Sequence, residues 1–275
     1  FTLLDESETS VLKESFPKAL LEDRDGVLWI GAKGGLVRMH QGEFERFGTQ
    51  DGLCDDEVAS LAASRDGGLW IGTDGGVSLL KNGKFTNYVN SSLDHKHVFS
   101  ICEGRDGTVW VGFSVGLYQL DLKTGAFHRA WTSPGKLPHR HYDTVTAIYQ
   151  DRRARIWFGT LHGLYRFDRG GVIDYSSEPG LGGEIRAIFE DTQGTIWILA
   201  TDELFEFDAE GFRPAGLKER IGDLRLQSGC ADREGNLWIG SAYGGLNRLQ
   251  PQHLDVFSTK DGLSHSDVWS VAEAR

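Results

Sequence analysis

Methionine and proline are scarce in this sequence, which has one methionine and six prolines among 275 residues. No apolar run is long enough to span a bilayer, and no segment keeps a helical period over three turns. These absences exclude a membrane-spanning chain and a helical bundle. The chain opens with Phe1-Thr2-Leu3-Leu4-Asp5, without a basic start, which predicts no signal peptide and indicates a piece of a longer protein.

Cysteine and basic residues are also few. Cys54, Cys102 and Cys230 lie far apart without CxxC spacing, which excludes a disulfide framework or a zinc finger. Lys and Arg number 29 against 40 Asp and Glu, a net charge of −11. Such a surface repels phosphate backbones and anionic lipids, so we expect no nucleic-acid partner and no membrane insertion of this region. The glycines form no phosphate cradle, and we expect no cofactor.

What the sequence has in abundance is glycine and tryptophan, with 36 and eight residues. The segment Arg24-Asp25-Gly26-Val27-Leu28-Trp29-Ile30-Gly31 recurs at 65–72 and 105–112. Further copies surround Trp157, Trp197 and Trp238. The period is about forty residues, a length typical of a four-stranded propeller blade. The interval between Trp110 and Trp157 is longer and indicates an insertion.

Each repeat predicts four short strands. In the second copy they are 58–62, 69–71, 77–80 and 85–88, separated by Asp-Gly and Asn-Gly turns. A single sheet of this kind cannot bury both faces, so the tryptophans are expected to wedge between sheets stacked face to face. The sequence therefore predicts an all-β protein, a β-propeller of four-stranded antiparallel blades in a single domain spanning 1–275. The predicted blades are 16–47, 58–88, 98–131, 145–175, 185–213 and 225–257.

The ends of the chain bear on the number of blades. Residues 1–5 and 268–275 are predicted to be strands of a partial blade, which gives six complete repeats and favours a seven-bladed ring. A longer array and a closed six-bladed ring are the alternatives. The inner strand of every repeat has a small residue at one place, which fits strands that converge on a crowded centre. These residues are Ala19, Ser60, Ala147, Ala187, Ser100 and Ser228.

The repeat resembles that of the two-component regulator propeller family. In the second copy the matching residues are Asp66, Gly67, Trp70, Gly72, Thr73, Gly76 and Val77. The resemblance implies the periplasmic or extracytoplasmic sensor part of a bacterial membrane-bound signalling protein, responding to polysaccharide fragments. It also implies an output module in the full-length chain, either a histidine kinase or a diguanylate cyclase. The streptogramin lyases resemble this repeat too, but none of their catalytic residues can be placed on this chain.

Function is therefore expected to be non-enzymatic sensing of a small molecule or an oligosaccharide, with a homodimer as a further expected partner. One alternative is an enzyme on the same scaffold, a lyase or glycan hydrolase with a base or acid among His97, His141, His162 and Glu184. The other is a protein-interaction platform.

Ligand-binding residues are expected where loops meet one end of the blades. The turns between second and third strands contribute Lys33, Asp74, His162 and Tyr243, and the connections between blades contribute His97 and Arg186. The insertion at 131–142 adds Trp131, expected to be exposed, with Arg140, His141 and Tyr142. Stacking aromatics with Arg and His suit a sugar, especially an acidic one. A decorated surface loop is the alternative for this insertion.

Metal binding is not expected. The pairs His95-x-His97 and His139-x-His141 could ligate a metal, but no Asp, Glu or Cys completes a set by its spacing. One Asp recurs in each repeat, which we interpret as a turn and capping group, with calcium as the alternative. These residues are Asp25, Asp66, Asp106, Asp151, Asp191 and Asp232.

Overall fold

The computed structural model describes residues 17–93, 96–132, 144–168, 171–217, 225–250, 253–263 and 265–272. Their strands form six four-stranded antiparallel sheets, and each sheet keeps its strands in chain order. The predicted all-β propeller of four-stranded antiparallel blades is thus confirmed, with six blades described. The seven-bladed ring stays a prediction.

The strands of blades 1–3 are β1 (Pro17–Glu22), β2 (Leu28–Ala32), β3 (Gly35–His40), β4 (Glu43–Phe47), β5 (Val58–Ala63), β6 (Leu69–Thr73), β7 (Val77–Lys81), β8 (Lys84–Tyr88), β9 (Val98–Glu103), β10 (Val109–Phe113), β11 (Gly116–Leu120) and β12 (Phe127–Trp131). Those of blades 4–6 are β13 (Val145–Gln150), β14 (Ile156–Thr160), β15 (Gly163–Asp168), β16 (Gly171–Asp174), β17 (Ile185–Glu190), β18 (Ile196–Ala200), β19 (Leu204–Phe207), β20 (Phe212–Pro214), β21 (Leu226–Ala231), β22 (Leu237–Ser241), β23 (Leu246–Gln250) and β24 (His253–Phe257).

The chain divides into two compact units, one over residues 5–148 with blades 1–3 and one over 149–273 with blades 4–6. The boundary falls within β13. The predicted partial strand at 1–5 lies outside the described residues. Residues 268–272 have no strand partner among the described residues.

The apolar core lies between consecutive blades. In the first unit, Trp29 of blade 1 shares a cluster with Val58 and Ile71 of blade 2, and Trp70 of blade 2 shares one with Val98 and Val111 of blade 3. In the second unit, Leu199 of blade 5 packs with Leu226 and Ile239 of blade 6. The indoles therefore do wedge between sheets, because each four-stranded sheet buries its faces only against its neighbours.

The inner strands pack against a glycine of the preceding blade. A Cβ on Gly72 would lie 2.6 Å from Val98 Cγ1, and one on Gly112 would lie 2.7 Å from the Val145 carbonyl oxygen. The Ser60 hydroxyl donates to the Val98 carbonyl at 3.2 Å, and the Ser100 hydroxyl donates to Val145 at 2.8 Å. The small residues of the inner strands thus also bond successive blades together.

Blade 5 lacks this glycine, and Leu199 stands in its place. Leu199 is fully buried in the cluster with Leu226 of the next inner strand. In blade 5, apolar packing of Leu199 therefore replaces the close approach of an inner strand to a glycine.

The recurring aspartates occupy two different positions of the repeat, which the sequence analysis treated as one position. Asp151, Asp191 and Asp232 accept the indole N–H of the tryptophan six residues later, at 2.7–2.9 Å, as does Asp23 in blade 1. The other set, four residues before the tryptophan, lies in exposed turns and includes Asp25. Blade 2 has Ser64 at the indole-binding position, and there Trp70 donates to Glu103 of blade 3 at 2.7 Å.

An arginine five residues before the tryptophan donates hydrogen bonds to the next blade. Arg24 Nη1 donates to the Arg65 carbonyl at 3.3 Å in the first unit. In the second unit, Arg152 donates to the carbonyls of Asp191 and Thr192, both at 3.0 Å. The periodic arginine of the repeat is thus a structural residue, since it satisfies turn carbonyls of its neighbour.

The turn between the first two strands contains a residue with positive φ in every blade. This residue is glycine in five blades, for example Gly67 at φ +85°, but Ala154 in blade 4 adopts φ +60°. Left-handed backbone is unfavourable for alanine because its Cβ approaches the carbonyl oxygen. We expect Ala154→Gly to raise the free energy of unfolding by about 0.5–1 kcal/mol. Urea denaturation would measure the gain, and a loss of stability would contradict the strain.

A β-bulge interrupts the inner strands one residue after they begin. The register between inner and second strands shifts at Lys18, Ala59, Phe99, Arg186 and Gln227. A bulge places an unpaired residue in the strand and re-aims its side chain. These five positions, which we call the bulge positions, vary in type from blade to blade.

Residues 265–272 dock on blade 6 as the inner strands dock on their preceding blades. A Cβ on Gly240 would lie 2.6 Å from Val268 Cγ1, the same approach that joins Gly72 to Val98. The Val268 N–H donates to the Ser241 carbonyl at 2.9 Å. Trp269 therefore occupies the place of a bulge position.

Candidate functional site

The candidate site lies on the rim of the blades, which we define as the turns between second and third strands with the adjoining connections to the next inner strands. Each connection runs against a turn. The Asp74 N–H donates to the Glu57 carbonyl at 3.1 Å, and the Ala242 N–H donates to the Arg225 carbonyl at 2.7 Å. Because backbone hydrogen bonds hold both segments, the rim side chains project from a fixed frame.

On the rim of blades 1–3 the structure brings together two of the predicted residues, Asp74 and His97. His97 Nδ1 pairs with the Asp74 carboxylate. The imidazole centroid lies 4.0 Å from that of Phe99, the bulge residue of β9. A carboxylate on one side and an aromatic ring on the other orient the imidazole, which stays partly exposed.

An ion pair lies next to the His97–Asp74 contact on this rim. The Lys18 ammonium pairs with the Glu57 carboxylate. The backbone of Glu57 also forms an isolated antiparallel β-bridge with the backbone of Lys33. Lys33 is exposed, and within the described residues its ammonium has no ion pair. We call Lys18, Lys33, Glu57, Asp74 and His97 the rim cluster.

The rim cluster combines groups that suit a polar ligand. An imidazole has two ring nitrogens, through which it can donate or accept a hydrogen bond. The exposed Lys33 ammonium supplies three donors and a positive charge. The arrangement can hold hydroxyl groups and one anionic group at a partly exposed surface.

On the rim of the second unit, Arg186 is held by two neighbours. Arg186 Nη1 donates to the Gln227 side chain at 2.9 Å, and Nη2 pairs with Glu184 at 2.9 Å. His162 and Tyr243 are exposed on the turns of blades 4 and 6. Arg186 thus joins the bulge positions of two blades, which sequence spacing alone does not show.

Trp131 was predicted to be exposed, and this is wrong. Its side chain is buried, and the residue ends β12 in register with Leu117 of β11. The insertion begins only after this strand, so Trp131 is a packing residue of blade 3. Arg140, His141 and Tyr142 lie outside the described residues, as do His95 and His139.

The described residues include no group of three His, Cys, Asp or Glu side chains placed to hold a metal ion. The indole-binding aspartates are occupied by donors instead. Asp151 accepts from the N–H groups of Arg153 and Arg155, the Arg155 guanidinium and the Trp157 indole. Burial alone would raise the pKa of Asp151, but these hydrogen bonds outweigh it and hold that pKa below its usual value.

A concavity also lies at the opposite end of blades 4 and 5, between their first turns. Arg153, Arg155, Gln193, Phe207 and Asp208 line it. The Arg155 guanidinium donates to the Asp151 carboxylate and lies over the face of Trp157, 5.3 Å from the ring centroid. Its charge is therefore part of the packing of blade 4.

Sequence reasoning missed Lys18 and Glu57 of the rim cluster. A signal for Lys18 is present in the repeat alignment, because the residue after the first position of each inner strand varies while its neighbours stay apolar or small. A variable position within a regular repeat is free from packing, and such positions are available to bind ligands.

A family model described as "Two component regulator propeller" matches residues 12–34, 52–75 and 92–114. No curated protein sequence matches the chain. Among the residues that the structure describes, no helix has the length and apolarity of a transmembrane segment.

Solved structures share the fold. A protein described as the extracellular domain of a hybrid two-component system from B. thetaiotaomicron is 20% identical, with a TM-score of 0.76 over 92% of this chain and 36% of its own. The extracellular domain of a one-component system from the same organism is also 20% identical, with a TM-score of 0.74 over 94% of this chain and 36% of its own. Virginiamycin B lyase from Staphylococcus aureus is 14% identical, with a TM-score of 0.73 over 88% of this chain and 83% of its own.

This chain thus spans about a third of the length of the two extracellular domains. At these identities the structural likeness shows the fold alone, and the family model matches three segments in the first half of the chain. The chain is a β-propeller that carries two-component regulator propeller repeats.

Proposed function

We propose that this chain is the ligand-sensing propeller of a bacterial membrane-bound signalling protein, and that it recognises an extracellular oligosaccharide without converting it. The observation that carries the proposal is the rim cluster. Its charged and imidazole groups stand on a repeat scaffold whose periodic tryptophans pack between blades and whose periodic Arg24 and Ser60 bond one blade to the next.

The proposed setting follows the family. The propeller lies in the periplasm, and a fused histidine kinase or diguanylate cyclase completes the full-length protein, which acts as a homodimer. A seven-bladed ring is part of this proposal, and the docking of residues 265–272 on blade 6 supports it. Ligand binding would signal by its different affinity for two arrangements of the domains, because a ligand shifts an equilibrium only by that difference.

The test is calorimetric titration of the purified chain with neutral and uronate-containing oligosaccharides of four to six sugars. Lys33 and His97 should contact an acidic sugar through charge-assisted hydrogen bonds. We expect His97→Asn and Lys33→Ala each to weaken uronate binding about tenfold, equivalent to about 1.4 kcal/mol.

Two surface variants away from the rim are matched controls. His128 lies exposed in β12 and Lys123 in the turn before it, so His128→Asn and Lys123→Ala should bind as the wild type does. Equal affinity in the rim variants and the controls would contradict the rim cluster as the binding site. No binding of any oligosaccharide would contradict the glycan proposal itself.

One observation favours an enzyme as the second candidate. An imidazole oriented by a carboxylate is the arrangement of a general base, and His97 with Asp74 provides it. A lyase or glycan hydrolase would release products from a bound oligosaccharide, detectable by mass spectrometry. Turnover that His97→Asn abolishes and His128→Asn preserves would establish this candidate in place of the sensor.

A further inference from the structure

A cavity of about 200 Å³ lies between the first turns of blades 4 and 5, at the end of the blades opposite the rim. Both turns belong to the second unit. Arg152 joins them, because its guanidinium donates to the Asp191 and Thr192 carbonyls, both at 3.0 Å. Arg155 reaches β19 of blade 5, with its Cζ 5.8 Å from the ring centroid of Phe207. The walls of the cavity are thus held by contacts between two blades.

Arg153 brings a positive charge to the wall from blade 4. The same repeat position, four residues before the tryptophan, is acidic in four of the other blades and glutamine in blade 5. The residues there are Asp25, Asp66, Asp106, Gln193 and Glu234. In blade 2, Asp66 pairs with Lys81 of its own blade. Arg153 lines the cavity instead, and its guanidinium makes no hydrogen bond or ion pair with the described residues.

Asp208 brings a negative charge to the wall from blade 5. It directly follows Phe207, the last residue of β19, and lines the cavity. The Arg213 guanidinium pairs with Asp208, but it also pairs with Glu206 at 3.1 Å and with Glu210 at 3.2 Å. One cation therefore stands among three carboxylates, and this wall keeps a net negative charge.

The two opposite charges line one cavity and are not joined to each other. Among the described residues no ion pair or hydrogen bond links Arg153 to Asp208. The Gln193 amide and the Thr195 hydroxyl also line the cavity, and neither bonds to another described residue. Phe207 adds an apolar surface. Unjoined charges of both signs around an apolar surface suit a small ligand that carries both charges.

From these observations we infer that this cavity binds a free α-amino acid with an apolar side chain. The ligand carboxylate fits the planar donor fork of Arg153, and the Gln193 amide supplies a further donor. The ligand ammonium group fits the Asp208 carboxylate through a charge-assisted hydrogen bond. Its side chain lies against Phe207.

The size of the cavity agrees with such a ligand. Pockets for drug-sized molecules have volumes of about 300–1,000 Å³, so a cavity of about 200 Å³ suits a single amino acid better than an oligosaccharide. The inference adds a second site at the other end of the blades and does not rest on the proposed function.

The test is a ligand-observed NMR titration of the purified chain with L-leucine and three comparison compounds. N-acetyl-L-leucine lacks the ammonium charge, and L-leucinamide lacks the carboxylate. We expect each to bind at least tenfold more weakly than L-leucine, because one charged wall loses its partner. Glycine keeps both charges but leaves Phe207 uncovered, so it should also bind more weakly. These comparisons use the wild-type chain and do not depend on how a variant folds.

Arg153→Asp is the matching variant. It gives blade 4 the residue that blades 1–3 have at this position, and Arg153 is exposed, so thermal unfolding should match that of the wild type. We expect it to weaken L-leucine binding at least tenfold. Arg153→Lys should keep part of the affinity, because an ammonium retains the charge and loses the donor fork. Lys123→Asp, in an exposed turn of blade 3, makes the same change of charge and should bind L-leucine as the wild type does.

Several outcomes would overturn the inference. Undetectable binding of L-leucine does so, and so does a comparison compound that binds as tightly as L-leucine. Wild-type affinity in Arg153→Asp also overturns it, as do equal losses in Arg153→Asp and Lys123→Asp, since net charge would then explain both. Oligosaccharide titrations report on the rim, so either site can fail while the other stands.

Discussion

Gly72→Val is expected to destabilise the chain by about 3 kcal/mol or more. Gly72 is buried in β6, where a Cβ would lie 2.6 Å from Val98 Cγ1 and 3.0 Å from Val98 Cβ. The branched Val98 side chain is fully buried and has little freedom to rotate. The inner strand of blade 3 would have to move away, and the Ser60 to Val98 hydrogen bond would be lost with it.

The measurement is the free energy of unfolding from urea denaturation. Gly183→Val is the matched control, because no atom lies within 4 Å of a Cβ there and its φ is ordinary. A Gly72→Val chain as stable as the wild type would contradict the close approach of blades 2 and 3. Equal losses in both variants would show that the effect comes from the glycine backbone and not from the packing.

Asp151→Asn is expected to lower the free energy of unfolding by about 3 kcal/mol at pH 7. The carboxylate is buried and accepts from the Trp157 indole at 2.8 Å and from two backbone N–H groups at 2.9 Å. An amide keeps the size of the group but loses its charge and one acceptor. The Arg155 guanidinium would then be left without its carboxylate partner.

This loss should depend on pH in a defined direction. Burial acts to raise the pKa of Asp151, yet the hydrogen bonds with Trp157 and Arg155 outweigh it and lower the pKa in the folded state. A lowered pKa stabilises the fold above the ordinary carboxyl pKa of about 3.9, and that stabilisation is lost as the pH falls toward the lower folded value. The difference in free energy of unfolding between the wild type and Asp151→Asn should therefore become smaller below about pH 4.

Urea denaturation at pH 7, 5 and 3.5 would measure the difference. Asp25→Asn is the control, because Asp25 lies exposed in the corresponding turn region of blade 1. Its effect should be small at every pH. A difference for Asp151→Asn that stays constant from pH 7 to 3.5 would show that the ionised carboxylate is not what stabilises the blade.

Much of the fold could be predicted because the repeat is local. Asp-Gly turns, alternating strands and one tryptophan per forty residues are properties of short segments, and the second blade forms its strands at 58–63, 69–73, 77–81 and 84–88. The exposure of Trp131 was wrongly predicted because composition suggested a loop that in fact begins one residue later. The two sets of aspartates were merged because both precede the tryptophan by a few residues.

The sequence by itself determined the repeat, the four-stranded sheets, their turns and the wedging tryptophans, since each depends on residues near one another in the chain. Only the tertiary structure decided which side chains meet on the rim. Asp74 and His97 come from different blades, as do Lys18 and Glu57, and Arg186 and Gln227. The physical reason is twofold. Stacking brings these blades together, and a bulge in five of the inner strands breaks the two-residue alternation from which side-chain direction is otherwise read.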